Sequence, residues 1–528
     1  MSDQRPSFVV YVTDQHRADF MSCAGHPVLQ TPNIDALAAR GLLFKRFYVA
    51  SPVCMPNRAS LMTCRMPSSH GVRMNGIPLD TREVSFVELL RDAGYETALI
   101  GKSHLQNFSR DAPMMKPPST RDGYHRAGPP LLEAYRQDYD VPPYLFEQRD
   151  HHTPMAEHAH GSFYGFDHVE IVTSHGDFCN GEYREWLLER EPNAAQLVGA
   201  ANQLTHDYVC PQAVRTSIPE ELYSTTYIAE RAEAWIRERD PASKQPFFLM
   251  VSWPDPHHPF NPPGKYWDLY KPDDMPTPAA FARNDWEPPV HVSGILAERE
   301  AGMAQLQGMG SVGCSAREAR EAQALTCGMI AMIDDAIGCV DAAVDECNRG
   351  QQVVKVFTSD HGDHLGDHKL LFKGAEQYEQ LTRVPFIWAD PDGPTGERTD
   401  ALGQTLDIGR TILERAHVEP AVGMEGQVLP PLADDGRESA FIQYEHQKVN
   451  PGIGPQPRVY SIRHGDWRLS LIHGVEVGEL YNLADDPGEF QNRWTDAQAS
   501  TIKAEMMERL ARAHLDAVVR APIPVRKA

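Results

Sequence analysis

The hydrophobic pattern changes period several times along the chain. Phe8-Val-Val-Tyr-Val12 is an unbroken β-rich apolar run, which predicts a strand buried on both faces, as in a parallel sheet; it stops at Asp14-Gln15. Thr31-Pro-Asn-Ile-Asp35 opens a helical pattern with Pro at the first helical position and Gly41 at its end. Ser85-Phe-Val-Glu88 is a capping box that predicts a second helix up to Gly94, and Thr97–Ile100 follows as another buried strand. Two further helical patterns, Tyr223–Arg239 and Ala316–Cys347, lead into apolar runs at Phe247–Ser252 and Val353–Phe357. Strands alternating with helices predict an α/β fold with a large, mostly parallel sheet. From Glu438 the texture changes to short strands (Phe441–Tyr444, Val459–Ile462, Trp467–Ile472, Gly478–Tyr481) and a helix from about Asp496 to Val519. The expected division is therefore a large unit over 1–435 and a small α+β domain over 436–528.

Four predicted strands end in chemically capable residues: Asp14-Gln15, Lys102 with His104, Asp255-Pro-His257-His258, and Asp360-His361. One Asp after a strand reads as a helix cap, and one His as a hydrogen-bonded core residue. Ligands bind at the carboxyl ends of strands in open parallel sheets, so four such clusters are expected to converge on one crevice.

Composition narrows the function. With 528 residues, 41% hydrophobic and 23% charged, the chain has material for a large core and is not disordered. Its net charge of −23 argues against nucleic acid and anionic membranes as partners, and no Lys/Arg cluster offsets it. A small anionic substrate requires a locally positive pocket. No apolar run approaches the roughly 20 residues of a membrane span, and none near the start resembles a signal segment, so a cytoplasmic protein is expected. The nine cysteines contain no C-x-x-C pair and suggest neither disulfides nor a zinc knuckle. Residues 106–219 are rich in Pro, Gly, Tyr and His and predict a long insertion beside the substrate; the irregular spacing of His151, His152, His158, His160, His168 and His175 makes them ordinary histidines. The apolar tail Ala517–Val525 suits packing across a partner subunit, in a homodimer or homotetramer, or on its own subunit.

Cys54-Met-Pro-Asn-Arg58 opens another helical pattern running to about Arg65, placing residues 54 and 58 on one face at the positive end of a helix. Alone, this reads either as a low-pKa thiol nucleophile or as a buried Cys beside a surface Arg. Cys54-x-Pro-x-Arg58 resembles the signature of the formylglycine-dependent sulfatases, in the alkaline phosphatase superfamily. His70-Gly-Val-Arg-x-Asn75-Gly, Gly101-Lys102-x-His104, Pro256-His257-x-Pro-Phe260, Ser359-Asp360-His361-Gly-Asp363, Lys373-Gly374 and Glu479-Leu-Tyr-Asn-Leu continue that resemblance in order along the chain.

The resemblance implies an alkaline-phosphatase-like fold and conversion of Cys54 to formylglycine by a formylglycine-generating enzyme. It implies one divalent metal near Asp14, Gln15, Cys54, Asp360 and His361. Asp and Gln oxygens with one imidazole suit Ca²⁺, Mn²⁺ or Mg²⁺, and the Asp-Gln and Asp-His pairs, which resemble those of choline sulfatases and phosphonate monoester hydrolases, make Mn²⁺ credible beside Ca²⁺. By the same resemblance, Arg58 supports the hydrated formylglycine, Lys102 and Lys373 bind ester oxygens, and His104 is the base for sulfate elimination. His257 and Lys373 serve the leaving group, and Asn75 orients the nucleophile or an ester oxygen. Lys102 with His104 favours sulfate monoesters over phosphonate monoesters or phosphodiesters. A non-catalytic binder would lack the nucleophile or a metal ligand, and neither is missing.

Overall fold

The computed structural model describes residues 5–108, 123, 144–148, 161–240, 242–347, 350–434 and 436–517. The predicted histidines at 151, 152, 158 and 160, and the tail beyond Ala517, lie outside these residues. The first strands are β1 (Ser7–Thr13), β2 (Leu42–Tyr48), β3 (Glu96–Gly101), β4 (His168–Thr173), β5 (Asn180–Gly181) and β6 (Phe247–Ser252). They are followed by β7 (Val312–Gly313), β8 (Val353–Ser359), β9 (Leu370–Leu371), β10 (Phe386–Ala389) and β11 (Glu397–Gln404).

Nine strands form one sheet in the order β11-β2-β10-β8-β1-β6-β3-β4-β5. The central strand β1 pairs in parallel with both β6 and β8, and all seven of its residues are buried, as its unbroken apolar run requires. The antiparallel members are β10, between β2 and β8, and the short β5 at one edge. Strands β2, β10 and β11 carry weaker sequence signals; β11 begins Glu-Arg-Thr-Asp at the exposed end of the sheet and becomes buried only at Leu402–Gln404. Two apolar cores flank the sheet. One contains the 32-residue helix Ala316–Cys347, and the other packs the helices Phe86–Asp92 and Leu406–Arg415.

Local rules hold where the sequence predicted them. Ser85 Oγ accepts the N–H of Glu88 to cap the helix Phe86–Asp92, and Pro32 starts the helix Pro32–Ala39. The helix after Cys54 stops earlier than expected, at Thr63, where Cys64 turns left-handed.

Beyond residue 436, strands β12 (Ser439–Glu445), β13 (Arg458–His464), β14 (Trp467–Ile472) and β15 (Glu479–Asn482) form a separate antiparallel sheet covered by the helix Ser500–Asp516. This sheet is stitched to the large one by Gln404, whose Nε2 donates to the carbonyls of Phe441 at 2.8 Å and Val49 at 3.2 Å. Among the described residues no helix is long and apolar enough to cross a membrane.

Candidate active site

The parallel strands deliver their carboxyl ends to one place. Asp14 follows β1, Lys102 follows β3, His257 follows β6 and Asp360 follows β8. Backbone bonds lock the ends together: Asp360 N donates to Thr13 O at 3.2 Å, Lys102 N to Ser252 O at 2.8 Å, and Asp14 N to Asp255 O at 3.1 Å. The β3 end needs Gly101: its φ is +110°, a left-handed conformation that side chains rarely adopt, and a Cβ there would collide with Ser252 O. Gln15 and His104 hold φ of 64° and 58°, a left-handed conformation that costs of order 1 kcal/mol or more and persists where surrounding contacts enforce it.

The helix Cys54–Thr63 is buried along its length and brings its first residue to this edge. Cys54 Sγ lies 3.1 Å from His361 Nε2 and receives a hydrogen bond from Lys373 Nζ at 2.9 Å. The same ammonium is 2.8 Å from His361 Nε2 and 3.0 Å from His257 Nε2. Lys373 follows β9, which pairs with β7 in a short antiparallel ribbon. Arg58 directs its guanidinium at the acids: Nε donates to Asp360 Oδ2 at 2.7 Å, and Nη2 is 3.8 Å from Asp14 Oδ2. Its Nη1 donates to Lys102 O and Ser252 Oγ. Arg58 therefore braces the carboxylates, and its hydrogen bonds do not go to residue 54.

The donor set fits a divalent cation. Asp14, Cys54, Asp360 and His361 each bring one ligand atom within 4.8 Å of the others, all buried. Asp14 Oδ1 and Gln15 Oε1 are buried without a hydrogen-bond partner. His361 Nδ1 donates to Gly362 O at 3.0 Å, which turns Nε2 toward the acids, 3.6 Å from both Asp14 Oδ1 and Asp360 Oδ1. Gln15 is held by its amide nitrogen, which reaches His258 Nδ1 at 2.9 Å and donates to Asp363.

Electrostatics follow from this packing. Burial opposes charge on Asp14, but Lys102, His257 and His175 together hold its carboxyl well below the usual range. Burial and Asp14 raise the Cys54 thiol, yet Lys373, His361 and Lys102 outweigh them and lower it. Burial, reinforced by Lys102, keeps His104 well below an ordinary histidine, so it stands as a neutral imidazole with Nδ1 unpartnered.

Two residues escaped the sequence reading. His175, set aside as ordinary, sits in the site: its Nε2 is 2.7 Å from Lys102 Nζ and 3.7 Å from Asp14 Oδ2, and its ring stacks on His257 at 3.7 Å. The strand β4 before it was the available signal, since His175 follows a strand end like the other four clusters. Glu147 lies in the insertion and accepts the consecutive N–H groups of His104, Leu105 and Gln106 at 2.8, 2.8 and 2.9 Å. Burial pushes it up to about 7 against those bonds. No motif marks it. Conversely, Asp255 belongs to a strand-end cluster but turns its carboxylate to Thr225 Oγ1 at 3.3 Å, away from Cys54. Asn75 accepts the N–H of Met55 at 3.1 Å, satisfying a free donor at the helix start beside Cys54.

A cavity of about 470 Å³ opens above Cys54, lined by His104, His175, Lys373 and Asn75. The insertion was expected to form the specificity wall. Among the described residues it supplies Asn107, Phe108, Ser174 and His175, while much of the opposite wall comes from residues 444–451 near the C-terminal sheet.

A crevice at the strand ends, a buried acid and imidazole cluster and a positively framed Cys54 define an ester hydrolase of the alkaline-phosphatase-like type. The sulfatase family profile matches residues 6–418, so the chain belongs to the sulfatase family, which comprises sulfuric ester hydrolases. A second profile, N-sulphoglucosamine sulphohydrolase C-terminal, matches residues 366–516. The chain is 30% identical to the multifunctional alkaline phosphatase superfamily protein PehA of Trinickia caryophylli, covering 92% of this chain and 91% of that protein. It is 27% identical to an arylsulfatase of Clostridium perfringens (strain 13 / Type A), covering 92% and 90%. In fold it matches the phosphonate monoester hydrolase of Agrobacterium radiobacter with a TM-score of 0.74, 23% identity, and coverage of 97% and 96%.

Proposed function

We propose that this protein hydrolyses small sulfate monoesters, arylsulfatase-like, at the Cys54 cavity, with Cys54 matured to formylglycine by a formylglycine-generating enzyme. Asp14, Gln15, Asp360 and His361, beside residue 54, would hold one divalent metal, Ca²⁺ or Mn²⁺, with Mg²⁺ a third choice. The observation that carries the reading is Lys373 Nζ reaching Cys54, His361 and His257 at once, with His104 and His175 lining the same cavity. When present, formylglycine supplies an oxygen nucleophile in place of sulfur, and the metal supplies positive charge to the ester oxygens.

The remaining roles belong to the chain. Lys373 Nζ binds an ester oxygen and carries the proton that the leaving oxygen requires, with neutral His257 accepting one of its N–H bonds. Lys102, held by Asp14, adds a fixed cation on the other side. His104, neutral and partly unpartnered, is the base for releasing sulfate. We assign the catalytic unit to 1–435 and the wall-forming small domain to 436–528.

A second reading, hydrolysis of phosphonate monoesters or phosphodiesters, is favoured by the Asp14-Gln15 and Asp360-His361 pairs and by the likeness to the multifunctional relative. Values of kcat/KM for an aryl sulfate and an aryl phosphonate monoester sharing one leaving group, with Cys54→Ala as background, decide between them. Sulfate should win by orders of magnitude; a phosphonate preference would replace the first reading with the second.

A further inference from the structure

The outer wall of the cavity is built by the loop between β12 and β13. Asn450 anchors this loop: its Nδ2 donates to Glu376 Oε1 at 3.2 Å and to His291 O at 3.4 Å, and its Oδ1 receives the N–H groups of Gly452 and Ile453. The anchor holds Lys448, two residues earlier, at the mouth of the cavity. In a chain of net charge −23, Lys448 forms no ion pair among the described residues.

The unpaired charge around the mouth is positive. Partial desolvation at the cavity mouth, with Lys373 adding repulsion, lowers the exposed Lys448 ammonium from its ordinary value. Burial, Lys448 and Lys373 hold His446 down to about 4, so it is uncharged near neutral pH. Among the described cavity-lining residues the one carboxylate is Glu376, and it is already engaged: Ser311 Oγ donates to it at 2.6 Å, Asn450 Nδ2 at 3.2 Å, and His364 Nε2 lies at 3.5 Å. The aromatic Phe108 packs on His104 at 4.0 Å, and Lys102 Nζ is 5.8 Å from its ring centroid, so that ring already faces a cation. These residues form no cage for a quaternary ammonium. They leave one cation at the mouth without a partner.

We propose that the site selects sulfate esters whose leaving group carries a second anionic group, such as a carboxylate, which Lys448 receives at the cavity mouth. This deepens the sulfate-ester reading and rests on it. Lys448 is solvent-accessible, so the attraction weakens with added salt.

The test compares para-(carboxymethyl)phenyl sulfate with its neutral isostere, para-(carbamoylmethyl)phenyl sulfate. The methylene insulates the phenol, so leaving-group acidity is nearly matched. The wild type should prefer the carboxylate ester roughly tenfold in kcat/KM, mainly through KM and less at high salt, as a charge-assisted hydrogen bond gives. Lys448→Met should abolish the preference with the neutral ester unaffected, Lys448→Glu should invert it, and Lys448→Arg should keep it. Equal rates on both esters in the wild type, or a preference that survives Lys448→Met, overturn the assignment of Lys448 and leave the sulfatase reading standing. Failure to hydrolyse either ester, with residue 54 fully converted, would instead overturn the sulfate-ester reading and this inference with it.

Discussion

The floor and the mouth of the cavity are built on opposite principles. On the floor, Asp14, Arg58, Asp360 and His361 are all but inaccessible, and each is held by another member of the group or by a neighbouring backbone. At the mouth, Gln447, Lys448 and Val449 are exposed on a loop attached mainly through one asparagine. Buried charges survive only when paired, so the floor tolerates almost no change, whereas the mouth can vary at little cost in stability. The reaction is thereby separated from the choice of ester. Sheet ends supply the chemistry, and a loop from the following antiparallel sheet supplies discrimination.

That contrast can be broken at several points. The largest effect should come from Cys54→Ala, which should lower kcat/KM for an aryl sulfate by roughly a thousandfold or more, because the nucleophile is lost. Mass spectrometry of the tryptic peptide Phe47–Arg58 should show the converted residue in wild type coexpressed with a formylglycine-generating enzyme; an intact thiol there would break the proposed chemistry. Next, Asp360→Asn removes charge from the carboxylate that Arg58 grips and should cost about a hundredfold in kcat/KM, with a matching fall in bound metal by elemental analysis. Unchanged metal content would move the site away from Asp360.

Glu147→Gln should act more gently, lowering kcat about tenfold by loosening the left-handed turn at His104. It also carries a pH signature. Burial holds Glu147 up to about 7, above its ordinary 4.5, so between those values the unfolded chain releases a proton that the folded chain keeps. Stability contributed by this group therefore falls as pH rises across that window, and Glu147→Gln should flatten that part of the profile in denaturant titrations at several pH values. The smallest effect belongs to the mouth: Asn450→Ala should raise KM severalfold and leave kcat nearly unchanged, since it frees the loop and leaves the floor intact. An equal fall in kcat would show that floor and mouth are coupled.

Much of the floor was legible because its residues follow strands whose continuous apolar runs announce themselves, and because the Cys54 and Asp360 segments carry family motifs. His175 is hard to read from sequence because its strand, β4, begins His-Val-Glu and looks half exposed, which hides the strand end that positions it. Glu147 was invisible because its role is to accept backbone N–H groups, which no side-chain pattern near residue 104 records. Strands β2, β10 and β11 were missed because edge positions and antiparallel partners dilute the apolar signal.

The amino-acid sequence by itself determined the alternation of strands and helices, the candidate reactive residues and the kinship with sulfatases, since propensity, periodicity and motif spacing are local properties. Only the tertiary structure decided that Arg58 braces Asp360, that Lys373 lies between two histidines and the thiol, and that a loop more than 390 residues beyond Cys54 forms the mouth. Those are contacts between segments far apart in the chain. Their geometry follows from how the sheets pack, and neither hydrophobic period nor residue type at one position encodes it.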